Sequence, residues 1–78
     1  MRKKEWKVIV TFQSTTHAMA LDKIFKEQGL SGRLIPVPRQ ITAGCGLAWC
    51  SPLDAKASVL DGINQHELHY EKIVELEI

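Results

Sequence analysis

Two cysteines are the side chains of this chain best suited to nucleophilic chemistry, and they stand in unlike settings. Cys45 lies between Gly44 and Gly46, at the end of a run that reads Ile35-Pro36-Val37-Pro38-Arg39-Gln40-Ile41-Thr42-Ala43-Gly44-Cys45-Gly46. Glycine on both sides removes side-chain cover and permits positive φ, so the sulfur and the adjoining N–H groups can approach a ligand or partner closely. Against that stands a plain hairpin turn holding a small apolar residue, since free cysteine is usually buried and inert. The other polar cluster is Ser14-Thr15-Thr16-His17. A helix beginning there would present unpaired N–H groups and partial positive charge, which hold an anion or favour the thiolate of a nearby cysteine. Arg39 would add to that potential, and His17 is suited to proton transfer near neutral pH, or is simply a surface residue beside a cap.

Cys45 and Cys50 are five positions apart, so on an extended strand they point to opposite faces and stand roughly 16 Å apart. They are not expected to form a disulfide, and the spacing is poor for a shared zinc ion. Cys50 then reads as a small residue at a strand end. His66 and His69 have no acidic or thiol partner at ligand spacing and read as a polar loop, so no metal site is expected. The chain shows no Gly-x-Ser-x-Gly elbow, no phosphate-binding glycine loop and no paired inward carboxylates. Catalytic turnover by this chain alone is not expected.

The elements that must position these residues follow from periodicity. Trp6, Val8, Val10 and Phe12 alternate on one face of a first strand. Ser14 to Thr16 supply cap hydroxyls for a helix from about Thr15 to Gln28, with Ala18, Leu21, Ile24 and Phe25 on its apolar face and Gly29 closing it. Arg33 to Val37 and Gly46 to Cys50 read as a second and a third strand. Ser51-Pro52-Leu53-Asp54 reads as a capped start for a second helix over Pro52 to Asn64, carrying Leu53, Ala57, Leu60 and Ile63. Tyr70 to Ile78 closes the chain as a fourth strand, in which adjacent Ile73 and Val74 suggest a bulge. Trp6 and Trp49 fall in apolar strand patterns and read as core or interface aromatics, and Trp49 also fits a dimer surface.

The order is an α+β one, βαββαβ, the ferredoxin-like arrangement of a four-stranded antiparallel sheet with two helices on one face. In that arrangement the end of strand one, the start of helix one and the loop between strands two and three share one edge. Ser14, Thr15, Thr16, His17, Arg39, Gly44, Cys45 and Gly46 are therefore expected to converge at one edge, where they could hold an anion.

The chain's 78 residues fit one domain over 1–78, too small for a deep enclosed cavity. An apolar share of 45% with 24% charged residues suits a globular domain. Ten basic against nine acidic residues give a net charge of +1, which argues against nucleic acid as partner, and Arg2, Lys3 and Lys4 read as a solvated terminus. No apolar run suits a signal or membrane span, and two unpaired cysteines suit a reducing compartment, so a cytoplasmic protein is expected.

Three segments together resemble a known family. Phe12-Gln13-Ser14-Thr15-Thr16-His17-Ala18, Leu34-Ile35-Pro36-Val37-Pro38-Arg39 and Cys45-Gly46-Leu47-Ala48 are similar, in order and spacing, to the selenium/sulfur carrier protein-like family of small bacterial domains, over about Trp6 to Ile78. The specificity lies in the Pro-Val-Pro-Arg and Cys-Gly pieces taken together. That resemblance implies a carrier whose cysteine, Cys45, holds sulfur or selenium as a persulfide or perselenide. It implies donor and acceptor proteins as partners, a homodimer being a further option, and no cofactor beyond the carried atom. Trp49-Cys50 and Gln40 depart from the residues expected after Cys-Gly and after Arg39. The residues alone also fit a small-anion-binding ferredoxin-like module or an interaction subunit in which Cys45 is incidental.

Overall fold

A computed structural model describes residues 4–41 and 45–78. It contains β1 (Trp6–Thr11), α1 (Thr15–Glu27), β2 (Arg33–Pro36), β3 (Leu47–Pro52), α2 (Lys56–Gln65) and β4 (Lys72–Glu77), with a 3-10 turn over Leu53–Ala55 ahead of α2. The strands form one antiparallel sheet in the order β2-β3-β1-β4. The architecture is thus α+β, a four-stranded antiparallel sheet with two helices.

The central place of β1 explains its composition. Val8 and Val10 point to one face, Ile9 and Thr11 to the other, and all four are fully buried. On the first face Val8, Val10 and Trp49 meet Ala18, Leu21 and Phe25 of α1 and Val59 and Ile63 of α2, so both helices pack on the same side of the sheet. Within this core Phe25 and Trp49 form an edge-to-face pair with ring centroids 4.9 Å apart. Trp49 is only 1% exposed, which removes it as a dimer surface, whereas Trp6, on the same face but at the sheet's end, is 54% exposed.

α1 starts and stops where its sequence dictates. Ser14 is extended, and its Oγ accepts from the His17 N–H at 3.3 Å, satisfying one of the orphan donors of the first turn. At the other end Gly29 adopts φ 75°, its N–H bonding to the Lys26 carbonyl while the Leu30 N–H reaches the Phe25 carbonyl. This pair of bonds is the Schellman motif, which glycine permits without a Cβ penalty.

Two local expectations fail. The second helix does not begin at Ser51-Pro52: both residues stay in β3, opposite Val8 and Lys7 of β1, and α2 begins at Lys56. The reason is that the Ser51 hydroxyl donates to the Ser31 carbonyl at 2.8 Å, tying the strand end to the entry of β2 instead of capping a helix. Pro52 is tolerated there because β3 pairs with β2 only as far as Cys50, leaving no partner on that side for a missing N–H. The suggested bulge at Ile73 and Val74 is absent too, since β4 pairs with β1 without interruption from Lys72 to Glu77. Ile73 packs on the core and Val74 lies on the opposite face; both are apolar because each face of the sheet holds an apolar row at that level.

Candidate functional site

One edge of the sheet gathers the ends that the sequence singled out. Because β3 and β4 run antiparallel to β1, the end of β1 at Thr11 lies beside the starts of β3 and β4, and α1 begins a few residues beyond it. Cys45 precedes β3 by two residues, half-buried and packed against the core cluster. Its thiol donates to the Leu47 carbonyl at 3.5 Å. Gly46 turns the chain into β3 with φ 78°, and its carbonyl accepts from the Val37 N–H at 3.0 Å, closing the mouth of the β2–β3 loop. Gly44 lies outside the described residues. Arg39 is exposed, in a turn closed by the Ile41 N–H bonding to the Pro38 carbonyl at 3.0 Å.

The α1 residues are divided in what they can offer. The Ser14 hydroxyl is occupied by its own cap, while Thr15 and Thr16 are exposed. His17 stacks on His69, ring centroids 4.9 Å apart and planes 30° apart. His69 was read from sequence as part of a polar loop; only the return of the α2–β4 connection to this edge brings it against α1. Among the described residues no hydrogen bond joins Cys45 to Arg39 or to the start of α1, and no group of three or more His, Cys, Asp or Glu side chains is placed to hold a metal ion. The start of α1, with the His17–His69 pair, and the entry to β3, with Cys45 two residues before it, thus lie at the same end of the sheet.

Cys50 occupies a different environment, one that sequence reading missed. It is paired with Arg33 of β2 on one side and Ile9 of β1 on the other, on the face of the sheet opposite the helices. Lys7 shares that face one row along, opposite Pro52. Burial pushes the Cys50 thiol above its ordinary pKa, and the charges of Lys7 and Arg33 pull in the other direction without overcoming it. A groove of about 700 Å³ opens here, lined in part by Lys7, Arg33, Ile35, Cys50 and Pro52. The signal lay in strand register: aligning Arg33 with Cys50, and Lys7 two residues before Ile9, sets both cations beside the thiol.

Among the described residues no helix is long and apolar enough to cross a membrane. Of known families, the one described as "Putative Se/S carrier protein-like" matches residues 7–75, nearly the whole chain. No curated protein and no solved structure matches at the significance required.

Proposed function

Because the chain belongs to the Se/S carrier protein-like family, we propose that it is a carrier and that Cys45 is the atom-bearing thiol. The observation that carries this reading is the position of Cys45, outside the regular strand in a glycine-turned loop at the edge where α1 begins. In the loading step the Cys45 sulfur, as thiolate, attacks the terminal sulfur of a donor persulfide. The donor S–S bond breaks, its thiol leaves with the proton, and Cys45 becomes a persulfide with no net oxidation. Hand-over to an acceptor thiol reverses these roles, and a perselenide is the selenium counterpart.

The start of α1 at Ser14, Thr15 and Thr16, with Arg39, supplies positive potential for the terminal anion, and His17 serves proton transfer. Gly46, with open space where a Cβ would stand, leaves that flank of the loop uncovered. Partners on this reading are a donor and an acceptor protein, and a reducing compartment such as the cytoplasm suits a thiol that must stay free. The same reading assigns the arrangement to the ferredoxin-like βαββαβ class, supported by the element order and the strand order β2-β3-β1-β4.

Intact-mass spectrometry after incubation with a low-molecular-weight persulfide tests the assignment. The wild-type chain should gain one sulfur atom, Cys45→Ser should gain none, and Cys50→Ser should load like the wild type. Equal loading of wild type and Cys45→Ser removes Cys45 from the role.

A further inference from the structure

Antiparallel register sets Arg33, Cys50, Ile9 and Val74 in one row across the face of the sheet opposite the helices, and Lys7, Pro52 and Leu76 in the next. The groove above these rows, about 700 Å³, is of the size that takes a small molecule. Its charges are arranged about its floor. β1 and β2 flank β3, so Lys7 and Arg33 spring from strands about 10 Å apart, and their long side chains can close on one group held above β3. Lys7 is shared with Glu5 at 3.1 Å, but Arg33 is exposed and makes no ion pair among the described residues. Among the side chains that line the groove, Lys7 and Arg33 are the cations and Glu5 is the carboxylate. Ile35 and Pro52 supply apolar surface on the same lining.

We propose that this groove is a binding site for a small organic anion, with its acidic head between Arg33 and Lys7 and its apolar body over Ile35 and Pro52. The guanidinium of Arg33 matches a carboxylate or phosphate with two parallel N–H donors, and the Lys7 ammonium adds a point charge from the opposite side. Cys50 stands on the floor, half-buried, where a bound ligand would cover it. Register sets both cations beside this floor, Arg33 opposite Cys50 and Lys7 one row along the same face. The site lies at the end of β3 remote from Cys45 and does not depend on cargo at that residue.

Cys50 can report on the groove in Cys45→Ser protein, where it is the remaining cysteine. Its alkylation by anionic iodoacetate and by neutral iodoacetamide is followed by mass spectrometry. The iodoacetate-to-iodoacetamide rate ratio should exceed that of free cysteine, and Arg33→Gln should lower it by about threefold, the size of one exposed charge contact. Arg33→Lys should keep most of it, and millimolar benzoate should slow alkylation where benzamide does not. A ratio equal to that of free cysteine overturns the proposal, as does indifference to Arg33→Gln or equal effects of benzoate and benzamide. Protection of Cys50 that rises with protein concentration and ignores benzoate assigns this face to a second copy of the chain, and likewise overturns it. Sulfur loading of Cys45 is read on a different residue in a different protein, so either result stands without the other.

Discussion

The two ends of β3 hold the same functional group in opposite ways. At the entry, Cys45 sits in a loop whose geometry depends on Gly46, on a carbonyl contact and on packing. Towards the exit, Cys50 is fixed by hydrogen-bonded register on both sides, with Arg33 opposite and Lys7 one row away. A loop thiol can meet a partner protein but holds its neighbours loosely; a strand thiol has its charged neighbours set by the sheet and its access limited to one groove. The first arrangement suits hand-over between proteins, and the second suits binding.

The contrast is open to test, most severely at the glycines. A Cβ on Gly32 would collide with the indole edge of Trp49 and the carbonyl of Cys50, and φ there is +154°. Gly32→Ala should therefore cost about 3 kcal/mol through forced movement of packed atoms. Gly46, at φ +78°, has open space around its missing Cβ, so Gly46→Ala should cost only about 1 kcal/mol, the strain of the left-handed backbone. Denaturant melts of both variants decide, and equal losses would erase the difference in rigidity between the two ends of β3.

A smaller effect is expected at the α1 start. Ser14→Ala removes the acceptor for the His17 N–H and should cost about 1 kcal/mol in the same melts. If Ser14 serves as cap alone, Ser14→Asp restores stability and leaves sulfur loading unchanged; a loss of loading in stable Ser14→Asp ties the cap to Cys45.

The smallest effect is electrostatic. Burial holds the folded Cys50 thiol above its unfolded value, so the folded state keeps its proton where the unfolded chain has lost it. That contribution is complete below the unfolded pKa and disappears as pH rises through the folded one. Stability of the wild type should thus decline on the alkaline side, and Cys50→Ala should flatten that limb in melts run from neutral to alkaline pH. A steeper alkaline decline in Cys50→Ala would reverse the sign and contradict the burial argument.

Much of the fold was legible in local pattern. The alternation around Val8 and Val10, the Ser14 cap and the Gly29 stop are short-range devices, and each appears where its chemistry requires. What misled was chemistry with two local uses. Ser51-Pro52 has the composition of a helix start, but Ser51 found a longer-range partner in the Ser31 carbonyl, and the strand ran on. Ile73-Val74 looked like a slipped alternation because the apolar rows on both faces of β4 could not be seen from one strand. On the candidate site, topology alone suggested that the Cys45 loop and the start of α1 share an edge, whereas the stacking of His17 on His69 required the path of the α2–β4 connection.

By itself the sequence determined the order of strands and helices and the caps of α1. These depend on neighbours within a few positions, whose backbone and side-chain preferences act whatever the rest of the chain does. Only the tertiary structure decided that Trp49 is core, that His69 meets His17, and that Arg33 and Lys7 flank Cys50. Each of those is a pairing across distant positions, settled by strand register and by which surfaces must be buried together.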